Sequence, residues 1–344
     1  MTRPWIRDFT IDELAAAFVE MGEQSFRARQ VFRWLYKDDV ESFDEMTDLS
    51  CELRAKLAEK FHIGRLPVVD EMVGEDGTRK IVLELADGHR IECVLIPETR
   101  RLTVCVSSQV GCRWGCGFCR TGQMGFIRDL TAGEIVEQYL AAQRIAGDRR
   151  VSNVVLMGMG EPLDNLDHVT RAIEIFYADH GVNLSPRKVT LSTVGIVPQL
   201  PKLALRVDVS LAVSLHAADD ETRSQLVPAN RKWPLRELID ACRVFPMSHR
   251  RRVTFEYALI AGVNDSDDDA ERLVRLVGDL RPKVNLIAVN PSDEQFAAPT
   301  EERVRRFQEI LRDHNITCMV RKPRGRDILA ACGQLAAPRC DAET

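Results

Sequence analysis

The sequence predicts an α/β fold: a long series of β–α units behind a small helical domain and a β-hairpin. Three observations carry this. Residues 1–65 hold apolar side chains at helical spacing. Residues 66–98 switch to strand-like runs around a tight turn. Residues 99–344 alternate short β-branched runs with helical stretches.

The elements follow in order. Thr10-Ile11-Asp12-Glu13 has the form of a capping box, in which side chains satisfy the free N–H groups of a helix start. Leu14, Phe18 and Met21 continue that helix. Val31, Trp34 and Leu35 mark a second helix, and Leu53 and Leu57 a third. Arg79 to Leu85 and Arg90 to Ile96 read as strands joined by Asp87-Gly88, and Pro97 ends the second. Later strands are expected at 102–106, 153–157, 188–191, 207–214, 253–259, 284–287 and 317–321. A further capping box, Thr131-Ala132-Gly133-Glu134, opens a helix whose face carries Ile135, Tyr139, Ala142 and Ala146. An open doubly wound sheet and a partial (β/α) barrel both fit this alternation. Gly158-Met159-Gly160-Glu161-Pro162-Leu163 breaks the GxGxxG pattern, which lowers a dinucleotide-binding reading.

Composition narrows the class. The 344 residues are 45% hydrophobic and 29% charged, as in ordinary globular proteins. No apolar run reaches spanning length, and the N-terminus lacks a secretory h-region, so a cytoplasmic protein without a membrane partner is expected. A net charge of −5 gives no global attraction to nucleic acid. Local basic runs stand at Arg100-Arg101, at Arg250-Arg251-Arg252, and at Arg321-Lys322 with Arg324 and Arg326. Of ten cysteines, Cys105, Cys112, Cys116 and Cys119 crowd into one stretch, whereas Cys51, Cys93, Cys242, Cys318, Cys332 and Cys340 are scattered.

Cys112-Arg113-Trp114-Gly115-Cys116-Gly117-Phe118-Cys119 is a C-x3-C-x2-C loop after the first strand of the series. Three thiolates there would hold three irons of a [4Fe–4S] cubane and leave the fourth iron open. An open iron chelates the amino and carboxylate groups of S-adenosylmethionine (SAM), whose reductive cleavage yields a 5′-deoxyadenosyl radical. Gly111, Gly115 and Gly117 lend the loop backbone freedom. A structural zinc site would need a fourth ligand. No histidine lies nearby, and Cys105 would make an unusual C-x6-C spacing. Zinc and unligated buried thiols remain the rival readings.

Further segments join the loop: Cys105-Val106-Ser107-Ser108-Gln109-Val110-Gly111-Cys112, Thr121-Gly122-Gln123-Met124-Gly125-Phe126 and Met157 to Leu163. Leu191-Ser192-Thr193, Ser214-Leu215-His216-Ala217, Leu226-Val227-Pro228, Gly262-Val263-Asn264-Asp265-Ser266, Val284-Asn285-Leu286-Ile287, Asn290-Pro291 and Ala330 to Leu335 complete the set. With these the sequence resembles the RlmN family of the radical SAM superfamily.

The resemblance implies a partial (β/α)6 TIM-like barrel behind a small N-terminal helical domain that binds RNA. It implies methylation of C2 of adenine 2503 in 23S rRNA and of adenine 37 in tRNAs. The cofactors implied are a [4Fe–4S] cluster on Cys112, Cys116 and Cys119, and two SAM molecules per turnover. SAM contacts are implied at Gly160, Glu161, Ser192, Ser214, Leu215, His216 and Asn290. Cys332 matches the methyl-carrying cysteine, Cys105 the cysteine that resolves the covalent RNA adduct through a Cys105–Cys332 disulfide, and Glu92 the base. Substrate rRNA and tRNA, a reductant such as flavodoxin or ferredoxin, and a monomeric state are also implied. The chain departs from the family where Arg324-Gly325-Arg326-Asp327-Ile328-Leu329 replaces Arg-Gly-Asp-Asp-Ile-Asp. The rivals are a Cfr-type C8 methyltransferase and a non-catalytic Fe–S or zinc redox sensor that binds RNA.

Overall fold

A computed structural model describes residues 3–248, 251–290 and 296–336 of the chain. Arg250, Pro291 and Cys340 lie outside the described residues.

The chain opens with α1 (Ile11–Glu20), α2 (Arg27–Tyr36) and α3 (Cys51–Lys60). The first capping box is formed: Thr10 Oγ1 accepts from the Glu13 N–H, and the Glu13 carboxylate accepts from the Thr10 N–H. Leu14, Phe18, Val31, Leu35, Leu53 and Leu57 are buried together. Trp34 is only half-buried, because its indole N–H donates to Asp48 at 2.6 Å near the surface.

Residues 68–97 form three antiparallel strands, β1 (Val68–Val73), β2 (Arg79–Glu84) and β3 (Arg90–Pro97). The expected hairpin is β2–β3. The additional strand β1 is an exposed edge, so burial imposes no apolar alternation on its sequence. The hairpin is also more than a connector, since β3 pairs antiparallel with β4 (Leu102–Val106) and so extends the main sheet.

The sheet continues through β7 (Asn153–Leu156), β8 (Val189–Thr193), β9 (Ser210–Ser214), β10 (Thr254–Leu259), β11 (Lys283–Ala288) and β12 (Thr317–Val320), all parallel to β4. Their spatial order equals their chain order. A doubly wound sheet reverses order at a switch point. Monotonic order, with right-handed crossovers, keeps the helices on one side and makes an open, partial barrel. The small hairpin of β5 (Gln109–Gly111) and β6 (Phe126–Asp129) flanks the cysteine loop, with the short helix α4 (Arg120–Gln123) between them.

Alternation along the strands separates two environments. Val104, Val154, Val189, Leu191, Val213, Phe255, Tyr257 and Leu286 face the helices in the apolar core. Thr103, Cys105, Asn153, Val155, Thr190, Ser192, Ser214, Glu256 and Asn285 face the concave side and line cavities there. A closed TIM barrel packs this interior with branched aliphatic side chains. Here that space is left open, and polar side chains share the face with apolar ones such as Val155, Ala258 and Ile287. The longest crossover helix, α5 (Ala132–Ala146), starts at the second capping box and is buried along residues 132–142.

Candidate active site

The cysteine loop is fixed at both ends. The Cys112 N–H donates to Gly125 O at 2.9 Å, and the Arg120 N–H to Gly333 O at 2.8 Å. Gly111 has φ +76°, and a Cβ there would lie 1.8 Å from Gly125 O, so the turn requires glycine. Trp114 donates to Asp164 (2.8 Å), which also pairs with Arg113 (3.2 Å). Cys112, Cys116 and Cys119 all line one cleft inside the barrel mouth. Burial raises the Cys112 thiol to about 12 and lifts Cys116 well above its ordinary range. Such thiols bind as thiolates only beside a strong positive charge. Among the described residues, no three Cys, His, Asp or Glu side chains converge as ligands of one metal ion. A cubane assigns each thiolate its own iron, so the donor set fits that cluster without convergence on a point.

The strand-end residues line the same cleft. Gly160 has φ +98°, and a Cβ would come within 2.6 Å of Gln109 Cβ. Glu161 is buried and accepts from the N–H groups of Leu163 (3.0 Å) and Val194 (2.8 Å). Burial raises its carboxyl to about 7 against the downward pull of those donors. Ser192 Oγ and Ser214 Oγ lie 3.4 Å apart. His216 has φ +61°, and its Nδ1 accepts from the Ala258 N–H at 2.9 Å. That bond puts the ring proton on Nε2. Burial, helped by Arg223, lowers the imidazole to about 3, so it is a neutral donor. Its ring meets Phe118 of the cysteine loop edge-on, with centroids 4.8 Å apart. Asn290 donates weakly to Cys332 O at 3.4 Å, while its buried Oδ1 has no partner. That orphaned acceptor on the cleft fits a ligand rich in N–H and O–H donors, as SAM is. Leu215 differs from the rest: its side chain lies in the apolar core rather than on the cleft.

Cys105 and Cys332 complete the cleft lining. Cys105 points inward from β4, and burial raises it to about 12. Cys332 lies exposed on a loop that packs Ala330 and Leu335 against Cys105, Val94 and Met159. This loop is tied at several points. Asp327 accepts from the Glu75 N–H (2.9 Å), Thr121 Oγ1 donates to Leu335 O (2.6 Å), and the Ala336 N–H donates to Glu92 (2.8 Å). Arg326 is exposed, and Leu329 takes φ +52° at the surface.

Glu92 is only 2% exposed, unlike the solvent-facing carboxylate that an ordinary strand position would give. It lies on the face of β3 that carries Val94 and Ile96 into the cleft, with the 331–336 segment beside it. Lys80 pairs with it at 3.3 Å.

Two residues of the local basic runs are held by carboxylates. Arg321 faces the cavity and pairs with Glu256 at 3.5 Å. Arg251 pairs with Asp208 and is mostly buried. A carboxylate neighbour, invisible in sequence, claims each. Sequence reasoning also missed Arg223, a fully buried guanidinium that donates to Val194 O (2.7 Å), Ser214 O (3.1 Å) and Leu215 O (3.0 Å), binding the ends of β8 and β9 together. Its one legible signal is its position one turn before the apolar pair Leu226-Val227.

The chain is similar to known proteins along nearly its whole length. A family model described as the ribosomal RNA large subunit methyltransferase N-terminal domain matches residues 6–63, and the radical SAM superfamily model matches residues 106–277. A dual-specificity RNA methyltransferase RlmN from Syntrophotalea carbinolica is 51% identical, over 97% of this chain and 90% of that protein. The protein of the same name from Geobacter sulfurreducens is 49% identical, over 96% and 91%. The crystal structure of a radical SAM methyltransferase from Sphaerobacter thermophilus superposes with a TM-score of 0.92 at 47% identity, covering 97% of this chain and 100% of that one. This chain belongs to the RlmN family of radical SAM methyltransferases, enzymes whose cofactors are a [4Fe–4S] cluster and SAM.

Proposed function

We propose that the protein methylates C2 of adenine 2503 in 23S rRNA and of adenine 37 in tRNAs, through a methylated Cys332 and a covalent RNA adduct. The observation that carries this reading is one cleft lined by Cys112, Cys116 and Cys119 together with Cys105 and Cys332. A redox sensor would leave the polar strand-end residues and the two further thiols without a task.

Cys112, Cys116 and Cys119 would hold the cluster, while Gly160, Glu161, Ser192, Ser214, His216 and Asn290 would surround SAM, with Leu215 contributing through its backbone alone. Bound there, the cluster and SAM supply a methyl group and a radical able to activate it. The chain's own residues do the rest. Cys332 carries the methyl carbon as a thioether, because C2 of adenine is electrophilic and resists direct attack on a methyl cation donor. Once that carbon, having given one hydrogen atom to the radical, is joined to C2, Glu92 removes the C2 proton, and the one unpaired electron left on the ring would pass to the oxidised cluster. Cys105 then attacks the sulfur of Cys332, the sulfur–carbon bond breaks, and the released pair takes a proton to complete the new methyl group. The disulfide must be reduced before another turnover.

The N-terminal 1–65 segment and the exposed basic residues would hold RNA phosphates, and a flavodoxin or ferredoxin would supply electrons to a monomeric enzyme in the cytoplasm. The test is mass spectrometry of adenosines from rRNA and tRNA of cells with and without the gene. Gene-dependent 2-methyladenosine in both RNAs is expected. Gene-dependent 8-methyladenosine would make it a C8 enzyme, and unchanged RNA would sink the reading.

A further inference from the structure

We propose that the outer face of the cysteine loop is the dock for the reductant: an acidic protein that carries one electron seats on Arg113, Arg231 and Lys232 around the Trp114–Trp233 pair. This rests on the proposed supply of electrons by a flavodoxin or ferredoxin.

The loop has two faces. Cys112, Cys116 and Cys119 line the cleft, whereas Arg113, Trp114 and Gly115, which stand between the first two thiols, do not. Arg113 and Gly115 are exposed, so the chain that would hold the cluster reaches the surface at this point. The Trp114 indole donates to Asp164 at 2.8 Å and packs on Trp233 with ring centroids 5.6 Å apart. Lys232 sets its ammonium 5.2 Å from the centre of the Trp114 ring, and Arg113 lays its guanidinium over Phe126 at 4.1 Å.

The segment that presents Arg231, Lys232 and Trp233 is fastened to the loop and to the barrel. The Gly117 N–H donates to Leu226 O at 3.2 Å. Buried Asn230 accepts from Arg223 (2.9 Å) and donates to Asp220 (2.9 Å). The charge of the patch is largely unspent. Arg113 pairs with Asp164 at 3.2 Å but keeps 47% of its side chain exposed. Arg231 and Lys232 are exposed and form no ion pair among the described residues. The chain as a whole carries a net charge of −5, so this patch runs against the overall sign.

The occupant follows from charge and place. Electrons have to arrive from outside, and here the backbone between two of the three thiols meets solvent. A partner with carboxylates around its own redox group is drawn to the basic rim, and the aromatic pair gives it an apolar centre. Electron-transfer encounters are small and weak, and complementary charge rather than area sets their rate. An RNA is also anionic, yet its adenine has to enter the cleft to meet Cys332 and Cys105, whereas Arg231, Lys232 and Trp233 lie off the cleft lining. The step served is one electron: the reduced carrier loses it, the cluster gains it, and no bond forms or breaks.

The experiment uses the full-length enzyme with its cluster reconstituted, SAM, and reduced flavodoxin, with ferredoxin in parallel. Dithionite serves as a small reductant that needs no dock. The readout is the ratio of flavodoxin-driven to dithionite-driven 5′-deoxyadenosine formation at low flavodoxin. Lys232→Glu and Arg231→Glu should each lower that ratio about tenfold through a higher KM for flavodoxin, as loss of electrostatic steering implies. Added salt should lower the ratio in the parent and much less in the double variant. Carbodiimide coupling of flavodoxin carboxylates to enzyme amines reports contact without turnover, and peptide mass spectrometry should find the new amide on Lys232. A parental ratio in the double variant, or coupling that spares Lys232, overturns the dock. Weakened RNA binding by the double variant at an unchanged ratio would make the patch an RNA contact instead. A parent enzyme that dithionite drives and neither carrier drives would remove the donor reading itself, a failure distinct from the others.

Discussion

Two sets of thiols stand out among the described residues, and a raised thiol does not by itself separate them. Cys93, Cys242 and Cys318 lie in the apolar core; Cys105, Cys112, Cys116, Cys119 and Cys332 line the cleft. Loss of water raises Cys242 and Cys318 to about 12, and it does the same to Cys105 and Cys112. The adjacent residues Glu92 and Cys93 show what does separate them. Strand alternation turns Glu92 toward the concave face and Cys93 toward α5, where its sulfur sits 3.9 Å from Gln138 O. A buried thiol in the core is a small apolar side chain. The same thiol on the concave face has room for a partner, and its chemistry follows from that partner.

This contrast can be broken in descending order of effect. Replacing Cys112, Cys116 or Cys119 by Ala should abolish iron binding and SAM cleavage. Iron analysis of protein purified without oxygen checks it: retained iron near four atoms per chain would contradict the ligand set. Cys332→Ala should leave the cluster intact but lose the S-methylcysteine seen by peptide mass spectrometry. Cys105→Ala should keep that modification and stall as an RNA adduct on a denaturing gel. The core set behaves differently. Cys93→Ala, Cys242→Ala and Cys318→Ala should retain iron and turnover and cost about 1 kcal/mol each in denaturant melts, as ordinary core truncations do. Loss of turnover from any of the three would erase the distinction.

The last effect, on stability alone, concerns His216 and acid. The folded chain keeps this ring neutral down to about 3, whereas an unfolded chain protonates it near 6.5. Between those values the unfolded state binds the extra proton, so the contribution of His216 to stability falls as pH falls. The slope reaches about 1.4 kcal/mol per pH unit. Urea midpoints measured from pH 6.5 to 5 should decline less steeply in His216→Gln than in the parent.

How much of this was legible in the sequence follows from the range of each signal. Local signals read well. Both capping boxes form, and β4, β7, β10 and β11 appear within a residue or so of their expected places. The cysteine loop was visible as a motif, because its spacing is a local property; the polar residues at strand ends came only through the family resemblance, and the structure brings them to the same cleft. Long-range pairings were not. Lys80 and Glu92 meet only through the register of two strands, and Arg321 and Glu256 only through the closure of β10, β11 and β12. A charged residue in a strand reads as solvent-facing until its partner is known. β1 escaped for a different reason, since an exposed edge strand need not alternate.

The N-terminal helices are fastened to the barrel by buried charges. Arg7, fully buried ahead of α1, bonds Glu137 of α5 at 2.5 Å and Asp39 at 2.8 Å, and Arg144 of α5 bonds the same two carboxylates. Asp8 accepts from the Gly133 N–H at the first turn of α5. The N-terminal helices are therefore riveted to the barrel at both ends of one helix, with charges that have no other shelter from burial. A part so fastened does not swing on a tether; it moves only with the barrel. Its surface stands at a fixed distance from the cleft and acts as a rigid ruler. For the RNA reaction proposed above, choice among RNAs would become a question of span: the RNA that delivers an adenine to the cleft would be one whose own fold matches the length of that ruler.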